Sequence, residues 1–168
     1  ELTGAAREEG LREAKGLPAF TLHDFELSDV EMIASGALSP LEGFLNQRDF
    51  DAVVDSVRLA NGLVWSIPIV FARNASELKN VKPGGAVALT GPDGRVHVIL
   101  RVKELYEHDR ERHAEQVFGT GDEAHAGVAR ARRVMGDTCV AGDIEVVNAR
   151  RYQDFLEQRL TPRQTREY

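Results

Sequence analysis

The chain has 168 residues, enough for one domain with a full hydrophobic core, and its 42% hydrophobic and 29% charged content is that of an ordinary globular protein. The net charge of −6 divides unevenly, −8 over residues 1–129 and +2 over residues 130–168, and this acidity argues against a sequence-independent nucleic-acid binder, which needs a positive field. One cysteine, Cys139, excludes an intramolecular disulfide, and no apolar run reaches the ~18 residues of a membrane span, so a reducing, cytoplasmic setting without a membrane partner is expected.

Residues 5–15 have helical composition but a thin apolar face, which predicts a loosely packed arm ending at Gly16-Leu17-Pro18. Ala19 to Leu22 is a short strand candidate. Ser28-Asp29-Val30-Glu31 has the spacing of a capping box and predicts a short helix closed by Gly36. Ser39-Pro40 then forces extended backbone. Asn46 is the expected cap of a second helix, with Phe50, Val53, Val54 and Val57 on one face and Asp49, Asp51 and Asp55 on a solvated one.

After the Asn61-Gly62 turn the pattern becomes β-rich from Leu63 to Ala72, with Pro68 placing it at an edge or bulge. Residues 86–90 and 95–102 form a hairpin around Gly91-Pro92-Asp93-Gly94, with Arg95, His97 and Arg101 predicted to face solvent. Helices are expected over 109–118, closed by Gly119, and over 125–133, capped by Asp122; Val140 to Val147 is a last strand. Thr161-Pro162 opens a further helix, with only Arg163 to Tyr168 after it. Together with the start at Glu1, this predicts a piece of a longer polypeptide. The expected fold class is α+β: a small, mostly antiparallel β-barrel decorated with several short helices. A helical arm spans 1–16, the main domain 17–160, and the start of a linker helix 161–168.

Few residues are equipped for chemistry. His108, His113 and His125 lack zinc-site spacing on one helix face and have no Cys cluster beside them. His23 and His97 read as surface or structural residues, and Cys139 as a buried thiol. Asp122, Glu123 and His125 share a loop that suits acid–base chemistry or, more simply, local capping. Arg130, Arg132, Arg133, Arg150 and Arg151 form a basic group without the interleaved aromatics of a single-strand binder. No Gly-rich phosphate loop is present.

Four segments occur in a distinctive order: Gly36-Ala37-Leu38-Ser39-Pro40-Leu41-Glu42-Gly43-Phe44-Leu45, residues 57–69 (VRLANGLVWSIPI), Phe118 to Val128, and Val140-Ala141-Gly142-Asp143-Ile144-Glu145-Val146. In this order the chain resembles the amino-terminal domain of ATP sulfurylases (sulfate adenylyltransferases) over residues 17–162. Ala126 departs from the family, which usually has Pro there. The resemblance implies a PUA-like barrel packed against a carboxy-terminal nucleotidyltransferase domain of the same polypeptide. It also implies the reaction ATP + sulfate → adenosine 5′-phosphosulfate + diphosphate with Mg-ATP, a homo-oligomer, and in some relatives a fused adenylylsulfate kinase.

Gln164-Thr165-Arg166 resembles the start of the family's catalytic signature. It continues as Glu167-Tyr168 with no histidine, and is read as coincidence. The expectation is therefore that this chain holds no catalytic, cofactor-binding or metal residue, needs no cofactor, is inactive alone, and is structural. The alternative is a stand-alone PUA-like RNA-binding or adaptor module.

Overall fold

Local signals set most element ends in the computed structural model, which describes residues 1–150 and 152–168. In chain order the elements are α1 (Gly4–Ala14), β1 (Ala19–Thr21), α2 (Asp24–Ser35), β2 (Gly43–Phe44), α3 (Gln47–Ser56), β3 (Ala72–Arg73), β4 (Ala86–Thr90), β5 (Val96–Glu107), α4 (Arg110–Phe118), α5 (Ala126–Arg133), β6 (Thr138–Val146) and α6 (Pro162–Glu167). Asn46 caps α3 through its Oδ1, which accepts from the Asp49 N–H at 2.8 Å, and Asp109 does the same for α4. Gly36 and Gly119 end α2 and α4 in the left-handed conformation, at φ of 78° and 67°.

The chain divides into two compact units. The first comprises Glu1–Gly43, Ala86–Arg101 and Asp143–Tyr168; the second comprises Phe44–Gly85 and Val102–Gly142. In the first unit β1 runs parallel to β4, and β4 is antiparallel to the start of β5. Its core includes Ala14, Ala88, Ile99 and Val147, with Leu2, Leu11 and Leu17 packed against them. α1 is therefore fastened rather than loose. Leu2 N–H donates to Val146 O at 2.8 Å, Arg7 Nε donates to Val147 O at 2.7 Å, and the Arg101 guanidinium bridges Glu13 and Glu145. One long-range ion pair, Arg101 to Glu13, and the Leu2 and Arg7 hydrogen bonds hold an arm whose apolar stripe is narrow.

In the second unit β3 is antiparallel to the start of β6, pairing Ala72 with Cys139. Phe50 and Phe71 are fully buried there, and Ala114, Val128 and Ala131 join α4 to α5.

Three expectations are corrected. The α+β class holds, but the sheet is open: its order is β1-β4-β5-β6-β2, with β3 on β6, and β1 does not close onto the far edge. The physical reason lies in the strand lengths. Leu63 to Ala72 was expected to supply a full strand, yet it yields one isolated bridge, Arg58–Val64, and the two-residue β3. β2 is equally short, so no ladder long enough for closure exists. Second, α2 starts four residues before the Ser28 box. His23 N–H donates to Glu26 Oε2 at 2.8 Å, and Ser28 Oγ donates back to Asp24 O inside the helix. Third, His97 does not face solvent; it is 3% exposed.

Candidate functional site

The segment 36–45 is built from backbone geometry. Leu41 N–H donates to Leu38 O at 2.9 Å, after a cis Ser39-Pro40 peptide, and Glu42 O accepts from Ile144 N–H at 3.0 Å. The β2 residues that follow are buried, and Phe44 packs on Phe71 with ring centroids 5.6 Å apart. The Ser39 and Glu42 side chains are exposed. The motif carries the chain from α2 into the sheet.

Residues 57–69 form a tight turn after α3. Val57 adopts φ 56°, Leu59 N–H donates to Leu63 O at 2.8 Å, and Trp65 N–H returns to Val57 O at 2.9 Å. The turn presents Val57, Leu63, Val64 and Ile67 to solvent.

Phe118 to Val128 links α4 to α5. Thr120 Oγ1 accepts from Asp122 N–H, and Asp122 Oδ1 accepts from Ala124 N–H at 2.9 Å. Asp122 therefore shapes the turn and does not cap α5. The cap is His125, whose Nδ1 accepts from Gly127 N–H at 3.2 Å. The His125 ring lies 4.9 Å from that of Phe118. A Cβ at Gly127 would sit 2.5 Å from the Phe118 ring, so a larger residue there would push the ring aside.

Under this loop lies a pair that the spacing did not reveal. His108 Nε2 and His113 Nδ1 are 2.9 Å apart, each residue is 3% exposed, and both rings meet Phe50 edge-on at 5.7 Å. His108 Nδ1 faces Gly136 O at 2.9 Å. A carbonyl only accepts, so Nδ1 of His108 carries the proton and its Nε2 accepts from His113 Nδ1–H. Burial pushes both imidazoles toward the neutral form; His113 falls to about 4, by desolvation and then by the neighbouring His108. The pair is an apolar-site hydrogen-bond relay that ends on backbone. The only signal for it was that both residues flank one helix start, five positions apart.

The first unit holds a cavity of about 360 Å³ bordered by Glu31, His97, Asn148, Arg150 and Arg163, among others. Its buried polar groups are bonded to protein. His97 Nδ1 donates to Asn148 O at 2.8 Å, and Asn148 Oδ1 accepts from Arg7 and Arg95. Asn148 Nδ2 donates to Val96 O at 2.6 Å. Arg150 Nη1 reaches Ser28 Oγ at 3.4 Å, and Arg159 stacks on Tyr152 at 3.6 Å. Arg151 lies outside the described residues.

Among the described residues, no group of three or more His, Cys, Asp or Glu could hold a metal ion. Cys139 is buried in β6 beside β3, and desolvation pushes its thiol up to about 12. Gln164 shares a reciprocal cap with Thr161: Thr161 N–H donates to Gln164 Oε1 at 2.8 Å.

A family profile described as "PUA-like domain" matches residues 1–149. The chain belongs to the PUA-like domain family. A sulfate adenylyltransferase of Symbiobacterium thermophilum is 42% identical over 165 residues, covering 98% of this domain and 42% of the relative. That of Halothermothrix orenii is 42% identical over 165 residues, covering 98% and 43%. The match falls on the amino-terminal part of such enzymes. The PUA-like domain thus spans less than half the length of these relatives. Among solved structures, a chain titled "Hexameric APS kinase from Thiobacillus denitrificans" superposes with a TM-score of 0.70 at 24% identity, covering 96% of this domain and 27% of that chain, a likeness of fold.

Two members of the basic group of the PUA-like domain, Arg132 and Arg133, are ion-paired. Arg132 meets Glu111 through Nε at 3.0 Å and Nη2 at 2.5 Å, and its Nη1 donates to Gly121 O at 2.6 Å. Arg133 pairs with Glu123. These arginines lock the 118–128 loop to α4. Among the described residues, no helix is long and apolar enough to cross a membrane.

Proposed function

We propose that this PUA-like domain is the amino-terminal part of a cytoplasmic sulfate adenylyltransferase that makes adenosine 5′-phosphosulfate and diphosphate from ATP and sulfate. Its role there is structural: it supports a carboxy-terminal catalytic region that binds Mg-ATP, within a homo-oligomer, with a fused adenylylsulfate kinase as an optional addition. One observation carries this reading, the 42% identity to a sulfate adenylyltransferase across 98% of the domain. The fate of the motif side chains supports the structural role. Asp122 and His125 shape a turn and a cap, Arg132 and Arg133 are paired with Glu111 and Glu123, and the histidine relay ends on backbone.

The test is diphosphate release from ATP and sulfate by the 168-residue chain and by the longer polypeptide that the gene encodes. The longer chain turns over and the 168-residue chain stays at background. Turnover by the short chain would refute the structural role. Submicromolar RNA binding in a filter assay at physiological salt would favour an RNA-binding module instead.

A further inference from the structure

We propose that the turn at residues 57–67 is a docking knob for the region that follows this domain in the full-length chain, an inference that rests on the reading above. Val57, Leu63, Val64 and Ile67 are 51%, 50%, 68% and 51% exposed, all within this one turn. Residues 57–69 contain a single charged side chain, Arg58, in a chain that is 29% charged. That guanidinium turns back onto the loop, donating to Gly62 O at 2.9 Å. The solvent-facing surface of the turn is therefore mainly aliphatic, with Arg58, Asn61 and Ser66 exposed beside the four apolar side chains.

The turn is also rigid. Its ends are joined by Trp65 N–H to Val57 O and by the Arg58–Val64 bridge. Its tip is fixed by Gly62 N–H to Leu59 O at 2.8 Å and Leu63 N–H to Asn61 Oδ1 at 3.0 Å. The Trp65 indole N–H is spent on Ile67 O at 3.0 Å. Val57, a β-branched residue, is held at φ 56°, a conformation that costs about 1–3 kcal/mol. A turn that keeps apolar side chains in water at a cost in backbone strain is preorganised for a partner, and little entropy remains to be lost on binding.

Area decides which partner. Four half-exposed aliphatic side chains present on the order of a few hundred Å² of apolar surface. A stable dimer of separate chains buries more than about 1,000 Å². A covalently attached neighbour has an effective concentration near millimolar, so a small apolar patch suffices to hold it. The relatives carry more than half of their length outside the match, which supplies such a neighbour in them.

Hydroxyl-radical footprinting of the 57–67 peptide, at equal radical dose, tests this in the 168-residue chain and in the full-length polypeptide. Oxidation of Leu63, Val64 and Ile67 falls at least fivefold in the full-length chain. Val64→Asp leaves the urea midpoint of the 168-residue chain unchanged and restores oxidation of Leu63 and Ile67 at least threefold in the full-length chain. Equal oxidation in both chains overturns the proposal, as does protection of the 168-residue chain that grows with its concentration and marks a second copy. Adenosine 5′-phosphosulfate synthesis is scored in parallel. An active full-length enzyme with an unprotected turn removes the docking inference alone, and a protected turn in a chain without synthesis removes the enzyme reading alone.

Discussion

The buried imidazole pair makes stability depend on pH in a window that separates it from the carboxylates. His113 has a folded-state value near 4, against about 6.5 when unfolded. Between those values the unfolded chain binds the extra proton and the folded one does not. Its contribution is therefore fully present above about pH 6.5 and is lost as the pH falls toward 4. The full difference amounts to about 3 kcal/mol, of which about 2 kcal/mol disappears between pH 7 and pH 5. His108 is shifted in the same direction and adds to the slope. Glu13, Asp93 and Asp137 are shifted down from values of 4.5, 3.8 and 3.8, so they act mainly below pH 5. The assay is urea unfolding at half-unit pH steps from 7.5 to 4.5, followed by the fluorescence of Trp65, the single tryptophan. His113→Asn keeps an N–H donor toward His108 Nε2 and removes the titration, so this variant loses roughly half of the pH slope or more. A wild-type midpoint that is flat from pH 7 to 5, or an Asn variant with an unchanged slope, would refute the buried neutral relay.

Three other outcomes follow from particular contacts. Cys139, buried with its thiol raised to about 12, stays unreactive toward a chromogenic disulfide reagent at pH 8 until urea unfolds the second unit; labelling at native rates typical of free thiols would contradict its burial. Gly136→Ala places a Cβ 2.0 Å from the Arg73 carbonyl carbon, a backbone clash that no rotamer relieves, and lowers stability by roughly 3 kcal/mol or more in calorimetry or urea titration. Arg101→Met loosens α1 by removing its pairs with Glu13 and Glu145; the three side chains are about one-third exposed, so the loss is about 1 kcal/mol and shrinks in 1 M salt, read as faster amide exchange across α1.

Much of this was legible because it is local. Asn46, Gly36 and Gly119 mark helix ends through bonds that reach no farther than a few residues, and each stands where the sequence placed it. The helical period of Phe50, Val53 and Val54 identified the buried face of α3 in the same way, whereas Val57, expected on that face, ends the helix in the left-handed conformation and is exposed. The misreadings have two causes. Ser28-Asp29-Val30-Glu31 and His23-Asp24-Phe25-Glu26 both offer a box-like spacing, and the helix takes the earlier one. Residues 63–72 have β composition but find few backbone partners, because strand pairing depends on distant segments.

The sequence by itself determined the family, several of the helix ends and the absence of an intramolecular disulfide, since these depend on residue identity and short spacing. Tertiary structure alone decided the state of the polar side chains. His97 became buried because Asn148, 51 positions away, supplies its carbonyl. His108 and His113 became a relay because Gly136 and Phe50 enclose them. Arg132 and Arg133 of α5 became struts because Glu111 and Glu123 lie within reach. Whether a charged or titratable group is a solvated surface, a structural tie or a candidate site is a matter of which distant groups fold against it, and linear spacing does not encode that.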